Sequence, residues 1–161
     1  MSEKSYMSGK PEVKSDYCVS YSPANSGELS INIQSKTAIL HGSKLKSTTE
    51  KTLSDLGIKG GKLTIIDNGG QYFVLKARIE AVIKDAKPKL SRESLPPFKK
   101  YTQYNSSRDR FRRSRLYIPG NQAKLMLNAG IHQPDAIILD LEDSVAPSEK
   151  DAARLIVRNA L

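Results

Sequence analysis

The chain has 161 residues, a mass of 17.8 kDa and 38% hydrophobic residues, which suffices for one ordinary domain or two small ones beside solvated segments. Its 26 basic and 17 acidic residues give a formal net charge of +9. No apolar run approaches the roughly 18 residues of a membrane span, and the single cysteine, Cys18, excludes an internal disulfide and a cysteine-rich zinc site. We therefore expect a soluble, cytoplasmic protein without a membrane partner.

The chain begins with a polar segment and two predicted strands. Residues 1–14 are rich in Ser, Lys and Gly and are predicted to form a disordered tail. Residues 17–21 predict a short strand, in which Cys18 is interpreted as a small buried residue and not as a reactive thiol. Residues 27–35 alternate apolar and polar side chains, which is typical of a half-buried strand, and the two strands suggest an antiparallel hairpin.

In the next segment the spacing of apolar residues changes twice, from helical to strand-like and back. Helical spacing of apolar residues predicts a helix that ends at Gly57, where a C-cap glycine belongs. Residues 62–67 and 71–77 predict two further strands joined by a tight turn, and a helix follows that ends before Pro88. The order β-β-α-β-β-α predicts a two-layer α+β domain over residues 15–87.

Residues 88–111 are predicted to be a basic flexible linker. Between Lys84 and Leu116 there are eleven Lys or Arg and three Asp or Glu, so most of the net charge lies here. The prolines and the lack of an apolar period favour a solvated linker. Two alternatives stay open, namely attraction of CoA-type phosphates and binding of nucleic acid. The second rests on four interleaved aromatic residues: Phe98, Tyr101, Tyr104 and Phe111.

The last part of the chain alternates strands and helices. Residues 116–120 and 135–143 predict strands, and the second is a continuous apolar run that ends in acids, as buried parallel strands do. A predicted helix follows each strand, with Asn121 and Ser148 as candidate N-caps. This β-α-β-α order is typical of a parallel α/β fold.

Motifs in both halves of the chain resemble known enzyme components. The segments RRSRLYIPGN, AGIHQPDAIILDLEDSVAP and EKDAARLIVRNAL resemble the opening of the citrate lyase β chain and of HpcH/HpaI aldolases, which are TIM-type (β/α)8 barrels. The segments ELSINIQS and FVLKARIEAVI resemble the citrate lyase acyl carrier protein (γ chain) and the related malonate decarboxylase carrier. The resemblance implies an acyl carrier domain fused to the first two βα units of a barrel, whose truncated N-terminal part covers residues 112–161.

The resemblance to carriers also implies a site of covalent modification. Such carriers hold a 2'-(5''-phosphoribosyl)-3'-dephospho-CoA group, a phosphopantetheine-type arm joined by a phosphodiester to the serine of a Ser-Gly-Asp segment before the first strand. The matching segment here is Lys14-Ser15-Asp16, and Ser15 is the expected attachment site. Because the glycine is missing or replaced, an ordinary loop serine remains the alternative. If the site is used, the chain is a phosphoprotein.

In the barrel part the resemblance implies supporting residues and no catalytic residue. Arg113 and Ser114 match the Arg-Ser before the first barrel strand, and we expect them to bind a substrate carboxylate or a cofactor phosphate. Asp140, Glu142 and Asp143 end a strand, where barrel enzymes gather their sites. In the family the direct Mg²⁺ ligands come from later strands, so Glu142 and Asp143 would support the ion indirectly. Surface positions without a role are the alternative.

Together these features predict the acyl carrier component of a citrate lyase-type system. In that system a transferase (α) subunit exchanges an acetyl for a citryl group on the arm. The lyase (β) subunit then cleaves the citryl thioester to oxaloacetate and an acetyl thioester with Mg²⁺. The expected partners are these two subunits, a prosthetic-group transferase and a small-molecule hydroxy acid, whereas nucleic acid is not favoured.

The sequence leaves two other functions open and predicts that this chain alone has no carbon–carbon lyase activity. One alternative is the N-terminal part of a fused CoA-thioester lyase whose carrier domain is vestigial. The other is a nucleic-acid-binding module that uses the basic linker.

Overall fold

The computed structural model describes residues 4–24, 27–98 and 107–161, which form a mixed α+β structure. The strands and α-helices of these ranges are β1 (Tyr6–Ser8), β2 (Tyr17–Ser22), β3 (Leu29–Ser35), α1 (Ala38–Asp55), β4 (Gly61–Asp67), α2 (Tyr72–Ala86), β5 (Arg115–Pro119), α3 (Ala123–Asn128), β6 (Ala136–Asp140) and α4 (Lys150–Ala160). Within these ranges no helix combines the length and the apolar character that crossing a membrane requires.

The first six elements build a four-stranded sheet with two helices. The strand order is β1-β2-β4-β3. β2 is antiparallel to β4, with Tyr17 opposite Asp67, whereas β3 is parallel to β4, with Leu29 opposite Gly61. The predicted hairpin of β2 and β3 is therefore wrong, because β4 lies between these strands. A parallel pair needs a long crossover, and α1 supplies it between β3 and β4.

The core of this part lies between the sheet and helices α1 and α2. Alternate residues of β2 and β4 face it, because successive side chains of a strand lie on opposite faces. Together with two buried leucines of α1, these residues are Tyr17, Val19, Tyr21, Leu63, Ile65, Leu45 and Leu53.

The predicted end of α1 at Gly57 is confirmed. Gly57 has φ +71°, its N–H donates to the Ser54 carbonyl at 2.9 Å, and the Ile58 N–H donates to the Leu53 carbonyl at 2.9 Å. These two bonds form a Schellman motif, in which a glycine adopts the left-handed conformation at little cost. A Cβ at this position would also lie 2.3 Å from a guanidinium nitrogen of Arg92.

The predicted strand over residues 71–77 is wrong, since α2 runs without a break from Tyr72 to Ala86. Every residue from Val74 to Ile83 is buried. The sheet covers one side of α2, and α4 and the segment 90–95 contact it elsewhere. The start of α2, Tyr72–Leu75, is a short apolar run, and periodicity cannot distinguish such a run from a buried strand.

Two segments that the sequence predicted to be irregular contain ordered structure. In the predicted disordered tail, Tyr6–Ser8 forms β1 and pairs antiparallel with β2. This strand was not predicted because it has only three residues and no apolar pattern. In the predicted flexible linker, Ser94 is buried. Its N–H donates to Glu80 Oε2 at 3.1 Å and its hydroxyl to Asp55 Oδ2 at 2.8 Å. Residues 99–106 of the linker lie outside the described residues.

The last part of the chain contains a parallel pair of strands and a helix that contacts α2. β5 and β6 pair in parallel as predicted, with Arg115 opposite Ala136. β6 is only partly buried, although its apolar run predicted a buried strand. In α4, Ile156 has no exposed surface and belongs to the same core cluster as residues of α2. The two halves of the chain are therefore packed together.

A carboxylate at the contact of α2 and α4 forms ion pairs with side chains of both helices. Glu80 has no exposed side-chain surface, and Arg158 donates to both of its oxygens at 3.0 and 2.8 Å. Lys84 contacts the same carboxylate at 2.8 Å. A buried charge is tolerated because it is paired and hydrogen-bonded on several sides.

The two predicted N-caps are wrong. Gln122 caps α3 and Glu149 caps α4, and neither makes a side-chain hydrogen bond to its helix. Asn121 instead donates through Nδ2 to Glu149 Oε2, and Ser148 lies in a short 3-10 turn before α4.

Candidate functional site

A cavity of about 350 Å³ lies between the loop of residues 9–16 and the segment 121–125. The loop joins β1 to β2, and the segment leads from β5 into α3, so each half of the chain contributes one wall. Ser15 is half-buried in this cavity wall. A volume of this size suits a small ligand or one portion of a larger one.

A buried ion pair holds the loop of residues 9–16 on α2. Arg78 donates to Asp16 from Nη2 at 2.6 Å and from Nε at 3.0 Å, and both side chains are about 6% exposed. Arg78 Nη1 also contacts Ser8 Oγ at 3.3 Å, and Asp16 Oδ1 accepts the Tyr17 N–H at 2.7 Å. This bidentate pair, with its further bonds, orients the residue that precedes Asp16.

Ser15 has an unusual backbone conformation. Its φ is +62°, which is the left-handed region that favours glycine. Its N–H donates to the Asn68 carbonyl at 2.9 Å, and the Asn68 N–H donates to the Asp16 carbonyl at 3.1 Å. These two bonds hold the loop against the turn after β4 and keep Ser15 in this conformation.

Gly9 begins the same loop and has to be a glycine. Its φ is +84°, and a Cβ there would lie 2.0 Å from the Tyr17 carbonyl oxygen. The loop therefore approaches β2 more closely than any other residue type allows.

The opposite wall is organised by Asn121 and Glu149. Glu149 accepts a hydrogen bond from Asn121 Nδ2 and forms an ion pair with Lys10, whose Nζ lies 3.3 Å from Oε1 of Glu149. Burial alone would raise the pKa of Glu149, but these two contacts outweigh it and lower that pKa below its ordinary value. The ionised carboxylate can only accept, which orients the Asn121 amide. Asn121 Oδ1 is then a buried acceptor with no hydrogen-bond partner among the described residues.

The charges around the cavity are predominantly positive. Four cationic side chains and two carboxylates line it. Arg78 is paired with Asp16 and Lys10 with Glu149. The remaining cations, Lys14 and Lys124, are exposed, and neither forms an ion pair within the ranges that the structure describes. The cavity therefore has an excess of two positive charges, which suits an anionic ligand.

Arg113 and Ser114 lie at the other end of β5 from the cavity. The N–H groups of both residues donate to Asp135 Oδ2 at 2.9 Å, and the Ser114 hydroxyl contacts the same oxygen at 3.1 Å. The Arg113 guanidinium lies 5.4 Å from the centre of the Phe111 ring. These contacts join the starts of β5 and β6, and they do not bring Arg113 or Ser114 to Ser15.

Asp140 is the half-buried last residue of β6, and Glu142 and Asp143 after it are exposed. Asp140 accepts the N–H groups of Glu142 at 2.8 Å and Ser144 at 3.1 Å. Hydrogen bonds from Ser144 and Glu142 hold the pKa of Asp140 below its ordinary value. In the described part of the chain no group of three or more His, Cys, Asp or Glu could hold a metal ion. The indirect support of a Mg²⁺ ion by Glu142 and Asp143 stays a prediction.

Two further sequence interpretations have different outcomes. Cys18 is buried in β2, as predicted, and burial raises the pKa of its thiol, which disfavours the reactive thiolate. Of the linker aromatics, Phe98 and Phe111 are exposed, whereas Tyr101 and Tyr104 lie outside the described residues. Nucleic-acid binding by the linker stays untested.

Most of the cavity was not foreseen from the sequence. Lys14 and Asp16 adjoin Ser15 in the chain, so their presence could have been anticipated. Arg78, Asn121 and Lys124 are distant in the sequence, and only the packing of α2 and the last part of the chain brings them to the loop.

Models of two protein families match this chain. The family described as malonate decarboxylase delta subunit matches residues 4–86, and the HpcH/HpaI aldolase/citrate lyase family matches residues 113–161. The first match covers the four-stranded sheet with α1 and α2, and the second covers β5, β6, α3 and α4.

Individual relatives divide the chain in the same way. The citrate lyase subunit beta of Haemophilus influenzae is 52% identical over 32% of this chain and 18% of the relative, and that of Escherichia coli is 52% identical over 32% and 17%. The citrate lyase acyl carrier protein of Pectobacterium atrosepticum is 30% identical over 43% of this chain and 71% of the relative. The chain thus spans less than a fifth of the beta subunits. No solved structure matches it significantly.

Proposed function

Because this chain belongs over residues 4–86 to the malonate decarboxylase delta subunit family of acyl carriers, we propose that it is the acyl carrier of a citrate lyase-type system. A single observation carries the proposal: the serine that precedes β2, Ser15, lies in the wall of a positively charged cavity. In this proposal Ser15 Oγ forms the phosphodiester to a phosphoribosyl-dephospho-CoA arm. When attached, the arm supplies a thiol that carries the acetyl or citryl group.

The residues around Ser15 are suited to hold such a group. The Asp16–Arg78 pair orients the loop, so the serine is presented at a defined position and not on a mobile end. Lys14 and Lys124 offer two ammonium groups to phosphate oxygens near the point of attachment. The half-buried position of Ser15 at a cavity leaves room for the first atoms of the arm.

The last part of the chain supports the assignment to a lyase system. Residues 113–161 match the HpcH/HpaI aldolase/citrate lyase family and are similar to part of the citrate lyase beta subunits, so the fusion joins a carrier to a segment of the enzyme that uses it. We propose that the partners are the transferase (alpha) and lyase (beta) subunits and a prosthetic-group transferase. We propose that cleavage of a citryl thioester, with its Mg²⁺, is carried out by the complete system.

A second candidate function is favoured by the conformation of Ser15. Its positive φ is that of a glycine, so in a Ser-Gly-Asp pattern Ser15 takes the glycine position and Lys14 the serine position. In that register the attachment hydroxyl is missing. The chain would then be the N-terminal part of a CoA-thioester lyase with a vestigial carrier domain.

Intact-mass measurement separates the two candidates. The chain is incubated with a prosthetic-group transferase and the CoA-derived precursor. If Ser15 is the site, the wild type and the control Ser5→Ala gain the mass of the group, whereas Ser15→Ala does not. If the carrier is vestigial, the wild type gains nothing, and Lys14→Ser combined with Ser15→Gly restores the gain. Equal gain by the wild type and Ser15→Ala would refute the assignment of Ser15.

A further inference from the structure

We propose that the cavity between the loop of residues 9–16 and the segment 121–125 is a binding site for a phosphate ester with two negative charges, such as the diphosphate of a CoA-type nucleotide. The link to CoA-type ligands rests on the proposed function, whereas the charge and shape of the site do not. The new element is that the last part of the chain provides half of the site.

The first argument is charge. The two carboxylates in the wall are neutralised by Arg78 at 2.6 Å and by Lys10 at 3.3 Å. Lys14 and Lys124 remain, one on each wall, as exposed ammonium groups. A carboxylate ligand would neutralise one of them, whereas a diphosphate or phosphomonoester can contact both.

The second argument is an unsatisfied acceptor. Asn121 donates to Glu149, which leaves its Oδ1 buried and without a donor in the described part of the chain. A buried acceptor that lacks a partner is unfavourable, so the site favours a ligand that brings a donor. A nucleotide with ribose hydroxyls or a pantetheine amide carries such donors beside its phosphates, whereas inorganic diphosphate lacks these hydroxyl and amide groups.

The third argument is the position of the two walls. Lys14 adjoins Ser15 and Asp16, which α2 holds through Arg78, and Lys124 lies at the start of α3. The contact of α2 with α4 and the bonds of Glu149 to Lys10 and Asn121 bring the two walls together. A phosphate bound between Lys14 and Lys124 would therefore bridge the carrier part and the lyase-like part of one chain.

The test is a calorimetric titration of the unmodified 161-residue chain with dephospho-CoA. We expect saturable binding of one ligand, and loss of at least about tenfold in affinity when Lys14→Ala and Lys124→Ala are combined, because charge-assisted hydrogen bonds are lost. The matched control combines Lys59→Ala and Lys62→Ala, which removes two exposed lysines outside the cavity. Its affinity should change less than about twofold, because neither lysine lines the cavity and exposed charges are screened by salt.

Absence of saturable binding, or equal loss in both double variants, would overturn the inference. Inorganic diphosphate should bind more weakly than dephospho-CoA, and equal affinity would refute the role of Asn121. If the attached arm occupies the cavity, a chain that is loaded at Ser15 should no longer bind free dephospho-CoA. If the loaded chain binds as tightly as the unmodified chain, the ligand of the cavity is a free nucleotide. A chain that binds dephospho-CoA but never gains mass refutes the carrier proposal and leaves this inference standing.

Discussion

Ser15 is the proposed attachment site and also has an unfavourable backbone conformation. Its backbone is left-handed, which for a residue with a Cβ costs roughly 1–2 kcal/mol relative to the right-handed region. The buried Asp16–Arg78 pair and the bonds to Asn68 hold the loop in place in spite of that cost. The conformation is therefore imposed by tertiary contacts and not chosen by Ser15 itself.

The conformation of Ser15 makes a prediction about stability. Ser15→Gly should raise the free energy of unfolding by up to about 1 kcal/mol, since glycine adopts a positive φ without steric cost. Urea unfolding measures this change. The control is Ser30→Gly at an exposed position of β3, which should lower the free energy by about 0.5–1 kcal/mol, because glycine weakens a regular strand. A decrease in both variants would contradict a left-handed Ser15.

At the scale of elements, helix α2 joins the two parts of the chain. It is buried from Val74 to Ile83, and its one fully buried carboxylate, Glu80, receives bonds from Arg158 of α4 and from the Ser94 N–H. Burial would raise the pKa of Glu80, but the bonds from Arg158, Lys84 and Ser94 outweigh it and lower that pKa below 4.5. Glu80 is therefore ionised in the folded protein.

This shift predicts how stability depends on pH. Below pH 4.5 the unfolded chain binds a proton at Glu80 before the folded chain does, so the stabilisation by Glu80 is present above pH 4.5 and is lost as the pH falls through the lower, folded pKa. Glu80→Gln should cost about 1–3 kcal/mol at neutral pH, and the cost should shrink in acid. Urea unfolding over a pH series measures both variants.

The control for Glu80→Gln is Glu50→Gln, since Glu50 is exposed and, among the described residues, forms an ion pair with Lys46 alone. Its cost should be about 0.3–0.5 kcal/mol or less. A cost for Glu80→Gln that does not change with pH would contradict an ionised Glu80 with a lowered pKa.

At the scale of the whole molecule, the two halves share a core but differ in how completely they are enclosed. Ile156 of α4 and Ala123 of α3 belong to the same cluster as the buried residues of the sheet and α2. β5 and β6 carry large apolar side chains that remain exposed, with Tyr117 at 64% and Ile137 at 46%. The last part of the chain is therefore stabilised mainly through its contact with α2.

The shared core predicts that the two halves unfold together. Ile156→Ala should lower the free energy of unfolding by about 2–4 kcal/mol through loss of burial and the cavity that remains. The free energy of opening that is measured from the slowest amide exchange in α2 should fall by the same amount. Leu127→Ala removes a leucine that is 51% exposed and should change stability by no more than about 0.5 kcal/mol. Two separate transitions, of which Ile156→Ala shifts only one, would show independent halves.

Much of the local structure of this chain could be read from its sequence. The alternation in residues 29–35, the glycine that ends α1 and the β-α-β-α order after residue 115 depend on contacts between near neighbours, and the structure agrees with them. Motif segments of eight to nineteen residues were sufficient to indicate both families, because a motif is recognised from its residue types and spacing without knowledge of the fold.

Contacts between distant residues decided the rest. The sequence by itself determined the α+β class, most of the elements and Ser15 as a candidate. Only the tertiary structure decided that β4 lies between β2 and β3, that residues 72–86 form one helix, and that Lys124 lies across a cavity from Ser15. Strand order depends on crossover connections, and the short apolar run at the start of α2 has no local signal that separates a helix from a buried strand. The cavity depends on Arg78 and Glu149, whose bonds to residues 62 and 139 positions away have no local signal.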